Sequence, residues 1–185
     1  MKYKNLIFLI ALFFIPSAKS AETIFLYQGT LNRTIKIDEL SKFKETKRPS
    51  TKLKNILKIT NQKEKDLLNV LSYEIEVPLK ASSKLMNSKI GEVFLRRLSK
   101  IIHPNRILDK RISTKAIRSG IILSAYNNSE KINLLDFFKS YPNKNIAINL
   151  NALRKTLKKA ESLKELIDFY SNSPFKKLKD GRSNT

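Results

Sequence analysis

The stretch Glu22-Thr-Ile-Phe-Leu-Tyr-Gln-Gly29-Thr30-Leu31-Asn-Arg-Thr-Ile-Lys-Ile37 decides the fold class. Ile24 and Leu26 stand in phase before Gly29, and Leu31, Arg33, Ile35 and Ile37 alternate after it. A period of two puts those side chains on one side of a pleated ribbon, so the stretch reads as a β-hairpin turning at Gly29. The same period returns at Asn145-Ile-Ala-Ile-Asn-Leu150, where Ile146, Ile148 and Leu150 alternate. A lone strand cannot satisfy its backbone, and the only evident partner for this one is the hairpin. A small three-stranded sheet is therefore expected.

Everything between reads as short amphipathic helices. Asp38 is placed to cap a helix carrying Leu40 and Phe43, which Arg48-Pro49 ends. Helix resumes after Ser50 and breaks near Thr60-Asn61, and a further helix carries Leu67, Leu68 and Leu71. After the extended Val77-Pro78 link and a turn over 81–87, Ile90, Val93, Phe94, Leu98, Ile101 and Ile102 fit one face of a helix over 88–102, stopped by His103-Pro104. Ser113 is placed to cap a helix carrying Ala116, Ile117, Ile121, Leu123, Ser124 and Ala125, with Gly120 allowing close packing. Asn133 opens a short helix that ends at Tyr141-Pro142, and a last helix over 151–170 aligns Leu153, Leu157, Ala160, Leu163, Ile167 and Tyr170. The expected fold is α+β and mostly α: short helices, the hairpin, and a third short strand completing a small sheet. Residues 21–170 read as one domain and 171–185 as a basic, disordered tail.

Residues 1–20 have the build of a secretory signal, with Lys2 and Lys4, an apolar run over 6–15, Pro16, and small residues ending Ala18-Lys19-Ser20. That run is short of the roughly 20 residues a bilayer span needs. Cleavage after Ser20 is expected, leaving no later transmembrane span. The 185-residue chain has 37 Lys and Arg against 16 Asp and Glu, a formal charge of +21, which loss of Lys2, Lys4 and Lys19 lowers to +18. With 41% hydrophobic residues this is a folding chain rather than a basic tail. Its Lys and Arg are scattered over every segment, without interleaved aromatics, so the charge reads as a solvated surface or an adhesive for anionic envelope polymers, and nucleic acid is not an expected partner.

The chemistry available is narrow. With no Cys and a single His, the sequence cannot build a disulfide, a thiol nucleophile or a His/Cys zinc site, and no cofactor is expected. A lipase-type Gly-x-Ser-x-Gly elbow exposes its nucleophile on a sharp strand-to-helix turn. The four glycines, Gly29, Gly91, Gly120 and Gly181, have neither that spacing nor the spacing of a phosphate loop or dinucleotide fingerprint. His103, beside Pro104, suits a helix C-terminus better than a catalytic base. The most distinctive polar cluster is Asn87-Ser88-x-x-Gly91-Glu92. It reads either as a helix start, capped by Ser88 and closely packed at Gly91, or as a ligand site; Asn87, Ser88, Glu92 and His103 are the candidate residues.

Read in order, Ala21-Glu22-x-Ile24-x-Leu26-Tyr27 with Leu31-x-Arg33-x-Ile35-x-Ile37-x-x-Leu40-x-x-Phe43 resembles the start of a secreted cyanobacterial family catalogued as alpha/beta hydrolases of unknown function. Leu85-Met86-Asn87-Ser88-x-Ile90-Gly91-Glu92-x-x-Leu95 with Ile101-Ile102-His103, and then Ala116-Ile117-Arg118-x-x-Ile121-x-Leu123-x-Ala125, Leu134-Leu135-x-Phe137-x-x-Tyr141-Pro142 and Ile146-x-Ile148-Asn149, are similar to its later motifs. The resemblance implies an N-terminal module that precedes a lipase-like domain in longer relatives and also occurs alone, and this chain resembles the stand-alone form. It transfers no catalytic residue. The expectation is an exported, non-catalytic accessory module in periplasm or thylakoid lumen, contacting an exported protein or an anionic envelope surface. A basic protein binding anionic glycans or lipid head groups, and an unconventional hydrolase using Ser88 or His103, are the alternatives.

Overall fold

Residues 20–159 are described by the structure, a computed structural model. The hairpin forms as its alternation requires: β1 (Thr23–Gln28) and β2 (Leu31–Lys36) are antiparallel, joined by the two-residue turn Gly29-Thr30. Gly29 has φ +59°, a left-handed conformation that glycine adopts without steric cost. The chain then passes through α1 (Ile37–Thr46), α2 (Thr51–Thr60), α3 (Glu64–Ser72), β3 (Ile75–Glu76), α4 (Leu79–Met86) and α5 (Lys89–Leu98). It continues with β4 (Ile102–Pro104), α6 (Lys110–Asn127), β5 (Lys131–Ile132), α7 (Leu134–Ser140), β6 (Asn145–Asn149) and α8 (Leu150–Lys159). The fold is α+β and mostly helical. The expected tail and the last part of the helix over 151–170 lie outside the described residues, as does the segment read as a signal.

The strand over 145–149 does pair with the hairpin, running parallel to β1, and its other edge pairs antiparallel with β4. The sheet order is β2-β1-β6-β4, with β3 and β5 making a separate two-stranded ribbon. The sheet thus has a fourth strand, at residues read as the end of a helix. Its register fixes two unlike faces. Ile35, Ile24, Ile146 and Pro104 form one row across the four strands, all buried, against helices that contribute Phe43, Leu53, Leu57, Leu95 and Ile117 to the same core. Thr34, Phe25, Ala147 and His103 form the row on the opposite face.

Several local expectations are corrected. Asp38 does not cap α1; the strand runs directly into the helix at Lys36, which makes no side-chain cap, and Asp38 and Glu39 sit in the first turn near its positive end. The cap of α6 is Asp109, whose Oδ1 accepts from Arg111 N at 2.7 Å, and Ser113 lies buried inside the helix with Oγ donating to Asp109 O. The helix expected over 88–102 stops at Leu98, and its inward face is different: Gly91 and Leu95 point to the core, whereas Ile90 and Val93 are exposed. The physical reason is at Gly91. A Cβ there would overlap the Leu85 carbonyl oxygen and lie 2.9 Å from Met86 Cα, so α4 and α5 approach through the one position that lacks a side chain. Leu123, expected inside, is also partly solvent-facing on α6. Other caps are as read: Ser50 Oγ accepts from Leu53 N at 3.1 Å and Asn133 Oδ1 from Asp136 N at 2.9 Å.

Candidate functional site

Asn87 and Ser88 lie in the short turn between α4 and α5. Ser88 Oγ donates to Leu85 O at 2.7 Å and accepts from Gly91 N at 3.1 Å, closing the last turn of one helix and capping the first turn of the next. Asn87 Nδ2 donates to Ser83 O at 2.8 Å. Glu92, one turn into α5, accepts from Arg96 Nε at 3.1 Å and from Arg118 Nη2 at 2.7 Å. Arg118 reaches from α6 and also donates from Nε to Met86 O at 2.9 Å. One guanidinium therefore ties the end of α4 and the start of α5 to the middle of α6. The Arg96 hydrogen bond, with Arg118 behind it, holds the Glu92 carboxyl below the usual carboxylate range.

Asn87, Ser88, Lys89, Glu92, Val93 and Arg96 line a shallow, open depression. Its chemistry is poor for proton transfer. A general base works best with a pKa near the operating pH, and Glu92 is moved the other way. A serine nucleophile needs a base as its hydrogen-bond acceptor, and Ser88 Oγ gives its proton to a backbone carbonyl instead.

His103 belongs to a different place. It lies buried on β4, not at a helix end, and both ring nitrogens are occupied. Nδ1 is 3.0 Å from Pro104 O, which can only accept, so Nδ1 carries the proton and Nε2 accepts from Tyr27 OH at 2.8 Å. Tyr27 is on β1 and His103 on β4, with β6 between them. The two rings meet edge to face at 5.7 Å on the face that also carries Ala147, whose methyl group is small enough to pass beneath them. Sequence reasoning placed four polar residues together as candidates; the structure brings Asn87, Ser88 and Glu92 together, and no described hydrogen bond joins His103 to them. Tyr27 and Arg118, the partners that fix His103 and Glu92, were not singled out. An arginine on the otherwise uncharged run Ala116–Ala125 was the available signal for the second.

Among the described residues no three of His, Cys, Asp and Glu gather in a group that could hold a metal ion. No described helix is long and apolar enough to cross a membrane. What the surface does leave unpartnered is hydrophobic: Ile90 and Val93 on α5, and Ile112, Leu123 and Tyr126 on α6, are exposed.

A family model described as alpha/beta hydrolase of unknown function (DUF1400) matches residues 20–149. The match closes at the last residue of β6, so it encloses the whole four-stranded sheet and every helix from α1 to α7. No curated protein and no solved structure matches the chain.

Proposed function

The chain belongs to the DUF1400 family of alpha/beta hydrolases of unknown function, and from that premise we propose that it is an exported accessory module that acts by surface contact and not by catalysis. One observation carries this reading. Three of the candidate polar side chains are spent on the fold: Ser88 on two helix ends, Glu92 on two arginines, and His103 between Tyr27 and a backbone carbonyl. A nucleophile, its base and an oxyanion donor must converge within hydrogen-bond reach of one reacting atom, and these groups face different neighbours. The basic, apolar and small-residue succession over 1–20 supports export.

The test is a hydrolysis screen of short- and long-chain esters with the purified chain, beside S88A and H103Q variants checked for folding by circular dichroism. Wild type should show no turnover above the two variants. Ester cleavage that S88A or H103Q abolishes while the fold survives would establish the unconventional hydrolase instead.

A further inference from the structure

We propose that the outward side of the α5–α6 pair is a docking surface for an anionic lipid bilayer, with α6 lying flat in the interface. The inference rests on the contact-module reading above and names its partner.

Three observations converge. First, the outer side of α6 exposes Ile112 near one end and Leu123 and Tyr126 near the other, with Lys115 and Ser119 between them. At about 100° per residue, Ile112, Lys115, Ser119, Ile122, Leu123 and Tyr126 fall within an arc of roughly 100°, opposite the buried Ile117, Gly120 and Ser124. From Ile112 to Tyr126 the stripe is about 21 Å long at 1.5 Å per residue. Ile112 is 45% exposed, Leu123 40% and Tyr126 70%. Second, α5 continues the surface. The Glu92–Arg118 pair ties α5 to α6, and Val93, 53% exposed, stands on α5 opposite the inward Gly91 and Leu95 and adds an apolar side chain to the outer surface of the pair.

Third, the charge around this surface is one-sided. Residues 22–78 and 79–129 each carry eleven Lys and Arg, but the first span has eight acids and the second only Glu92 and Asp109, with Glu130 following just past α6 and accepting from Leu79 N. Both of those acids face arginines: Glu92 faces Arg96 and Arg118, and Asp109 faces Arg111. Lys89 and Lys115 enter no ion pair among the described residues. The even spread of basic residues therefore hides an uneven field, created by where acids are missing. A second copy of this chain would bring the same excess of positive charge against it. A helical face with exposed Ile, Leu and Tyr side chains, flanked by Lys and Arg, is instead suited to lie at a headgroup boundary, apolar side chains in the acyl region and cations among lipid phosphates.

The test uses the chain recovered from an exporting host, its N-terminus read by mass spectrometry, in flotation with vesicles of pure phosphatidylcholine or of phosphatidylcholine with about one quarter phosphatidylglycerol. Co-flotation is expected with the anionic vesicles at about 0.1 M salt, and release near 1 M, where screening is about three times shorter in range. R111Q/K115Q should lower partition on the order of 30-fold, two surface cations being removed. I112S/Y126S should lower it about tenfold or more. K54Q/K58Q, on α2 beyond the opposite edge of the sheet, should stay within about threefold of wild type, and circular dichroism checks that every variant is folded. No flotation, equal loss in K54Q/K58Q, or full binding by I112S/Y126S overturns the proposal; the first is the result expected if the chain meets only acidic proteins, and the last two are those expected if it answers to charge in general. Failure here without ester hydrolysis leaves the contact-module reading standing, whereas hydrolysis in the screen above removes that reading whatever the vesicles show.

Discussion

Replacing Gly91 by Ala adds one methyl group where α5 lies directly against the backbone of α4. The new Cβ would overlap the Leu85 carbonyl oxygen and sit 2.8 Å from the Leu85 carbonyl carbon and 2.9 Å from Met86 Cα. These are backbone atoms, so no rotamer change relieves the overlap and α5 must move away from α4. Overpacking of this kind costs about 3 kcal/mol at the upper end of its usual range. The movement also strains the Ser88 cap on Gly91 N, about 1 kcal/mol more, while the better helix propensity of Ala returns about 1 kcal/mol. The net loss is about 3 kcal/mol, which at roughly 3 °C per kcal/mol for a chain of this size lowers Tm by about 9 °C. Thermal melting followed by circular dichroism measures it. The matched control is Gly120→Ala, where the added Cβ would meet side chains and not backbone, the Phe137 ring at 3.0 Å and Tyr141 Cδ2 at 3.5 Å, and rings can tilt by the few tenths of an ångström required, so its Tm should move far less. A G91A protein melting within about 2 °C of wild type would show that α4 and α5 are not locked at Gly91.

Tyr27→Phe leaves the buried His103 Nε2 without its donor, and urea unfolding should show a loss of about 1 kcal/mol at unchanged slope. Tyr141→Phe should raise Tm, because the Tyr141 hydroxyl is buried with no hydrogen-bond partner among the described residues and burial alone pushes its pKa far up; a fall in Tm would reveal a partner for it. Glu92 gives a signed pH dependence. Its folded pKa lies below the ordinary 4.5, so its contribution is present above that value and is lost as pH falls through the lower folded one. Urea midpoints measured below pH 4.5 should therefore fall with acidification in wild type and fall less steeply in E92Q.

The sequence showed what a repeating local pattern can show. Alternation placed β1, β2 and β6, and Ser50, Ser88 and Asn133 announced helix starts because a cap acts within three residues. β4 escaped because Ile101-Ile102 continue the helical spacing of the residues before them, and three residues are too few to display a period of two. The phase of α5 escaped for another reason. Its inward face is marked by a glycine, which carries no hydrophobic weight, while apolar Ile90 and Val93 lie outside and supply the stronger pattern. For the candidate cluster, the capping role of Ser88 and the packing role of Gly91 were legible. The environment of His103 was not, since Tyr27 meets it only after a parallel pairing between strands far apart in sequence sets the register.

That parallel pairing also dictates an order of assembly. The hairpin is built from neighbours and can close as soon as its residues are free, yet one edge of β1 stays bare until Asn145–Asn149 arrives from the far end of the module. Contacts so distant in sequence need a long loop to close first and come after the local hairpin and helices. Until then the nascent chain shows a row of unsatisfied amides and carbonyls beside Ile24 and Leu26, a template on which another unfinished copy can add a strand. A chain shortened before Lys144 would keep that edge open permanently and should aggregate instead of folding to a smaller version of the same domain.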